Sequence, residues 1–241
     1  MSASVSAESL ALLKHVSTAT ITMQLLKRGI RACAMFGPKP FSGPDERLVG
    51  PAYTLRLVPM REDIATTDFL GSDQNAQRTA IEQCPEGHVL VVSGGGELRA
   101  GVLGDILVAR LKARGVAGVI SDASMRDKAG ILPVNFPIFC PGAVAPANIG
   151  ALTPADVQCR IGCGGALVDP GDIVVADGDG AVVIPRNLAD DVARDGTEQE
   201  RFERFVQREV AKGRPTLGLY PPNDAARAEY QQWLKDGEPE D

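Results

Sequence analysis

The chain has no surplus of positive charge, only two histidines, and no apolar run near the roughly 18 residues that a membrane helix needs. Each absence removes a class of function. A net charge of -6 argues against nucleic acid as a ligand, because phosphate backbones require a basic surface, although a local basic pocket for a small anion stays possible. His15 and His88 neighbour no serine or cysteine in a nucleophile-elbow context, which leaves a hydrolase triad without its base. The five cysteines are an odd number without framework spacing, the pattern of reduced thiols in a cytoplasmic protein. Cys159 and Cys163 lie four apart, but no second pair or nearby histidine completes a zinc site. The N-terminal stretch lacks a basic region and carries Glu8, which argues against a secretory signal. What is present, 44 % apolar and 23 % charged residues, is the mixture of a globular chain able to bury a core.

Periodicity predicts a first helix over 8–28 with interruptions, Ser17 or Thr18 restarting it as an N-cap and Gly29 ending it. The Pro- and Gly-rich segment 38–44 reads as a loop, and 50–59 alternates like a strand. A helix over 73–84, a buried strand over 88–93, a helix over 105–114 closed by Gly115, and a strand over 117–121 follow. Residues 173–176 and 181–184 are predicted to form a hairpin joined by an Asp-Gly turn. A charged amphipathic helix over 188–212, a last helix over 224–234 and a frayed tail complete the chain. This describes a single α/β domain over 1–241, without the regular alternation of a doubly wound sheet, and with helical arms at both ends. Such arms suit packing against a neighbouring subunit.

Chemistry concentrates in residues 93–127. Glycines 94–96 lead toward Gly104 and Asp105, but no Gly-Lys-Ser/Thr follows, so this is not a phosphate-binding loop of the nucleotide-hydrolase kind. It is either an anion-binding nest facing a helix N-terminus or a tight turn with Asp105 as a cap. Asp122, Arg126 and Asp127 cluster after a hydrophobic strand, where open α/β sheets place ligands. An arginine fork suits a carboxylate, and a neighbouring carboxylate suits Mg²⁺ or Mn²⁺; the plain alternative is a surface ion pair. Lys128 reads as an exposed charge after the turn rather than a Schiff-base lysine.

Twenty residues separate Asp105 from Arg126, giving D-x20-R-D. With HVSTAT at 15–20, LVGPAYTL at 48–55, GGGELRAGVLGD at 94–105, GVISDASMRD at 118–127 and PGDIVVADGDGAVVIP at 170–185, this resembles a known family. That family contains class II pyruvate aldolases of the 4-hydroxy-4-methyl-2-oxoglutarate type and the regulator of ribonuclease activity A. The resemblance covers about residues 10–213, leaving 214–241 as a helical extension. Ala123 stands where the family's DGxxRD turn has glycine, and Thr22 or Met23 where an aspartate is common.

The resemblance implies a swivelling β/β/α fold, assembled as a homotrimer or homohexamer with sites between subunits. It implies that Asp127 ligates Mg²⁺ or Mn²⁺, that Asp105 acts through a metal-bound water, and that Arg126 binds the substrate. Gly104, with the backbone amides of Asp105, Ile106 and Leu107, would hold the substrate carboxylate. A glutamate from a neighbouring subunit's C-terminal helix would complete the site, with Glu198, Glu200 and Glu203 as candidates. The implied activity is a metal-dependent lyase of small 2-oxo acids acting through a pyruvate enolate, by aldol cleavage or oxaloacetate decarboxylation. Dehydration of 2-oxo-3-deoxy sugar acids, and a non-catalytic regulator of an RNA-degrading endonuclease, are the alternatives.

Overall fold

The computed structural model describes residues 5–239. Helices α1 (Ala7–Leu13) and α2 (Thr18–Lys27) lead into strands β1 (Ala34–Met35), β2 (Lys39–Ser42) and β3 (Leu48–Pro59). Then come α3 (Thr67–Leu70), α4 (Ala76–Gln83), β4 (Val89–Ser93), α5 (Asp105–Ala113), β5 (Gly118–Ser121), α6 (Lys128–Ile131) and β6 (Ile138–Cys140). Strands β7 (Leu152–Val157), β8 (Ile161–Cys163), β9 (Ala166–Val168), β10 (Ile173–Asp177) and β11 (Gly180–Ile184) follow, and α7 (Ala189–Ala211) and α8 (Asp224–Lys235) close the chain.

Residues 48–140 alternate strand and helix, as the elements predicted over 50–121 do, while the chain as a whole keeps the mixed order expected. β3, β4, β5 and β6 are parallel neighbours in sequential order. Parallel strands need crossover connections, and α4, α5 and α6 supply them. The sheet continues antiparallel on one side through β10, β11 and β1 and on the other through β2; β7 adds to β3. β8 and β9 form a separate two-stranded sheet.

Alternation along the strands sorts side chains into layers, since successive residues face opposite sides. In β4, Leu90 and Val92 pack with Ile81 of α4 and Val108 and Leu111 of α5, while Val89 and Val91 face Ile161 and Val168 of the small sheet. In β10, Val174 and Ala176 join that second layer, and Ile173 and Val175 pack against α1, α2 and the start of α7. The order is helix, sheet, sheet, with further helices outside: a mixed α/β fold of the β/β/α type.

The first helix is broken into two, with Ser17 as the N-cap of α2, and the helix expected over 73–84 is shortened to α4 behind an Asn75 cap. The expected loop over 38–44 carries β2, an edge strand that tolerates Pro40. The tail is anchored as far as it is described: Glu238 pairs with Arg201 at 2.6 Å and with Arg204 at 3.0 Å, and the Pro239 carbonyl accepts from Trp233. Residues 1–4 of the N-terminal stretch, and 240–241 of the tail expected to fray, lie outside the described residues. No helix among the described residues is long and apolar enough to cross a membrane.

Candidate active site

Two backbone segments run side by side beyond the ends of β4 and β5. Val102 N–H donates to the Ser124 carbonyl at 2.8 Å, and Arg126 N–H donates to the Leu103 carbonyl at 2.9 Å. This pairing sets the start of α5 against the turn carrying Arg126 and Asp127. The approach is close enough to need glycine: a Cβ on Gly104 would stand 2.5 Å from Asp127 Oδ2. Gly130 likewise leaves room for the Asp105 carboxylate.

Asp127 sits in the left-handed region, at φ 55° and ψ 41°, where aspartate is among the few non-glycine residues tolerated. Its carbonyl receives the amides of Gly130 and Ile131, which start α6 and fix the turn. Arg126 Nε donates to Asp127 Oδ2 at 3.0 Å, and both side chains are partly open to solvent. At the N-terminus of α5, Gly104 supplies no side-chain cap. Asp105 Oδ1 accepts from the Ile106 amide at 2.8 Å, so that donor is spent. The Asp105 and Leu107 amides have no protein acceptor among the described residues and point the positive end of the helix at the cleft.

Asp105, Arg126 and Asp127 line one cleft of about 290 Å³, together with Gly104, Ile106 and Leu107. Leu70, Gln77, Arg78 and Asn148 complete its wall. The donor set fits a small hard cation. Each aspartate keeps one carboxylate oxygen free of hydrogen bonds, and an ion that retains several waters needs few protein ligands. Among the described residues no group of three or more His, Cys, Asp or Glu side chains converges, so one protomer supplies two carboxylates and no closed cage.

A family model described as RraA-like, Aldolase/RraA, matches residues 18–183, a span that contains the whole D-x20-R-D spacing. The chain belongs to the RraA-like family. The crystal structure of Streptomyces coelicolor RraAS2, described as an unusual member of the RNase ES inhibitor RraA protein family, is 33 % identical with a TM-score of 0.77, over 86 % of this chain and 99 % of that one. A Halalkalibacterium halodurans protein, provisionally named a 4-hydroxy-4-methyl-2-oxoglutarate aldolase, is 28 % identical over 76 % of this chain and 80 % of its own length. Protein DlpA of Legionella pneumophila is 27 % identical over 78 % of this chain, but the match spans only 29 % of that longer protein.

Within this RraA-like chain several sequence candidates lie elsewhere. Asp122 is buried away from the cleft, where its carboxylate accepts from the amides of Gly94 at 2.7 Å and Gly164 at 3.2 Å. Glycines 95 and 96 border a separate recess with Phe36 and Leu98, apart from the cleft that holds Asp105, Arg126 and Asp127. Lys128 lies 5.4 Å from the centre of the Phe41 ring. The candidate glutamates line no part of their own protomer's cleft. Glu200 accepts from the Ser17 amide at 2.8 Å, Glu203 from Tyr220 at 2.9 Å and Glu198 from Tyr230 at 2.8 Å. Burial pushes the Glu200 carboxyl up, but hydrogen bonds from Ser17 and Thr20 and the nearby Arg47 outweigh it and hold it below its ordinary value.

All five cysteines are free, and burial pushes the Cys84 thiol up to about 12 and Cys140 up to about 11, which makes neither a nucleophile. Gln77, Arg78 and Asn148 were not singled out from sequence. Gln77 and Arg78 reach the cleft through the parallel order of β3 and β4, and Asn148 through the turn before β7, which pairs antiparallel with β3; no local motif encodes either.

Proposed function

We propose that this RraA-like chain is a divalent-metal-dependent lyase that cleaves a carbon–carbon bond beside a small 2-oxo acid. The observation that carries this reading is the convergence of Asp105, Arg126 and Asp127 on a cleft that also receives two unspent helix amides. Asp127, with Asp105, would hold Mg²⁺ or Mn²⁺, which when bound supplies Lewis-acid stabilisation of negative charge on a chelated 2-oxo acid. The Asp105 and Leu107 amides bind the substrate carboxylate at the helix N-terminus. Arg126, oriented by its bond to Asp127, places its guanidinium at the 2-oxo oxygen, where charge grows as the enolate forms.

In aldol cleavage the C3–C4 bond breaks, its electron pair passes to the enolate, and the C4 hydroxyl proton leaves. A water positioned by Asp105 takes that proton and returns one to C3, giving pyruvate and a carbonyl product. Oxaloacetate decarboxylation releases CO₂ in place of the carbonyl product and needs only the protonation at C3. Dehydration of 2-oxo-3-deoxy sugar acids would instead remove a C3 proton to a water positioned by Asp105, and the resulting enolate would expel the C4 hydroxyl, which leaves with a proton as water. A homotrimer or homohexamer in the cytoplasm belongs to this reading, with a glutamate of a neighbouring copy's α7 completing the cleft.

The test is pyruvate release from oxaloacetate with Mg²⁺. EDTA should abolish it, added Mg²⁺ restore it, and Asp127→Ala lower it by about 10³-fold or more. A rate indifferent to EDTA or to Asp127→Ala would refute the lyase. A panel of 4-hydroxy-2-oxo acids and 2-oxo-3-deoxy sugar acids then ranks cleavage against dehydration. The likeness to RraAS2 favours a second reading, a protein that restrains an RNA-degrading endonuclease by contact. Endonuclease retained in a pull-down, without lyase turnover, would select it.

A further inference from the structure

The core-facing stripe of α4 is interrupted by an amide. Gln77, Ala80 and Ile81 are the buried residues of this helix, and their i, i+3, i+4 spacing puts them on one face. Ala80 and Ile81 fill the core, whereas Gln77, only 5 % exposed, lines the cleft that holds Asp105, Arg126 and Asp127. A polar group in such a position costs free energy unless it is hydrogen-bonded. The Gln77 side-chain nitrogen donates to the Val102 carbonyl, and its oxygen accepts from the buried Asn148 at 3.4 Å. Its backbone is held in turn by Asn75, a fully buried N-cap whose Oδ1 accepts the Gln77 backbone amide at 2.9 Å.

Val102 belongs to the segment that delivers the start of α5. Backbone bonds pin this segment at three points: Gly101 N–H to the Pro146 carbonyl at 2.8 Å, Val102 N–H to the Ser124 carbonyl, and Arg126 N–H to the Leu103 carbonyl. The Val102 carbonyl is a fourth point, and there a side chain makes the bond. With Gly104 at the N-cap, α5 has no capping side chain to fix its own first turn. The direction of the Asp105 and Leu107 amides is therefore set from outside the helix, by residues 101–104 and whatever ties them down. A site built from such dipoles works only when they are placed to within about 0.5 Å.

We propose that Gln77 is a positioning residue: through the Val102 carbonyl it holds the 101–104 segment so that the unspent α5 amides face an anionic ligand. The turnover part of the test rests on the lyase reading; the binding part does not. The probe is oxalate with Mg²⁺, a planar dianion shaped like pyruvate enolate, measured by calorimetry. Gln77→Met keeps the bulk but cannot donate, and oxalate affinity should fall by about 10-fold or more at every pH. Gln77→Glu can donate to the Val102 carbonyl only while its carboxyl is protonated, and burial beside a carbonyl lifts that carboxyl above its ordinary value of ~4.3. Its affinity relative to the wild type should approach one near pH ~5 and drop about 10-fold near pH ~8, a recovery that Gln77→Met never shows. Arg78, Asp105, Arg126 and Asp127, the charged groups on this cleft, are common to all three proteins and cancel in that ratio.

In oxaloacetate turnover the loss should fall mostly on KM, because the amides grip a carboxylate present in ground and transition states alike. An amide that only supports the fold would lower the thermal midpoint of Gln77→Met and leave oxalate affinity at the wild-type value, which would overturn the proposal. If Gln77→Met does not fold, hydrogen exchange at the Val102 and Arg126 amides of Gln77→Glu decides, since it is blind to ligand charge. Protection equal to the wild type near pH ~8 would overturn the proposal, and protection lost there and regained near pH ~5 would support it. Gln77-dependent oxalate binding without oxaloacetate turnover would count against the lyase reading alone.

Discussion

Two helices in this protein begin among carboxylates, and they use them in opposite ways. At the start of α2, Ser17 caps the Thr20 amide at 3.1 Å, Glu200 takes the Ser17 amide, and Asp177 takes both the Thr18 amide at 2.9 Å and its hydroxyl at 2.7 Å. Arg47 adds an ion pair to Asp177 at 3.3 Å. Donors and acceptors there are matched within the chain, so the helix end is closed. At the start of α5, glycine replaces the capping side chain, one aspartate spends a single oxygen on a neighbouring amide, and two amides are left over. Satisfied ends stabilise a fold, whereas an unsatisfied end beside an arginine and a second carboxylate is a place for a ligand.

The largest effect should come from closing the open end. Gly104→Ala puts a methyl group 2.5 Å from the Asp127 carboxylate, so turnover should fall by about 100-fold or more. Because the clash meets the end of a movable side chain, the thermal midpoint should shift little, and calorimetry beside the pyruvate assay separates the two. A large loss of stability would mean that this end, too, is structural.

Opening the closed end should do the reverse. Asp177→Asn removes charge-assisted bonds to Thr18 and Arg47 and should cost about 2 kcal/mol in urea unfolding while leaving lyase turnover intact. Acid should imitate it. Burial pushes the Asp177 carboxyl up, but bonds from Thr18, Asp179 and Arg47 outweigh this and hold it below the usual range. A carboxyl depressed in the folded state stabilises above its unfolded value near pH ~4, and that contribution is lost as pH falls through the folded value. The wild type should therefore lose stability below about pH 4, with a shallower slope in Asp177→Asn. The smallest change, Ser17→Ala, removes one cap and should cost about 1 kcal/mol.

The contrast between these ends was half legible in sequence. Ser17 followed by an apolar helix announces a cap, and the spacing from Asp105 to Arg126 with the flanking blocks announces the family and the candidate site. Elements with strong local signals, such as α5 and the β10–β11 hairpin, lie where periodicity places them. The short strands β2 and β8, which lie in Pro- or Gly-containing sequence, do not declare themselves, because so few residues carry no measurable alternation and no apolar run marks them. Asp122 misled for a related reason. Its proximity to Arg126 in sequence is real, but a chain leaving a strand can turn a side chain inward, and the amides of Gly94 and Gly164 draw it there. Arg78 was invisible because the aspartates and arginine that line the cleft with it come from the β4–β5 and β5–β6 crossovers, distant in sequence.

The far half of α7 and α8 form a small core of their own, in which Phe205, Leu219, Tyr230 and Trp233 pack apart from the sheet. Trp233 is the only tryptophan in the chain. Intrinsic emission excited at the indole is therefore a spectroscopic label for the C-terminal arm and is blind to the sheet. A fluorescence melt and a far-ultraviolet dichroism melt record different parts of the protein. If the arm undocks first, the two curves will separate, and the gap between them measures how firmly the arm is held.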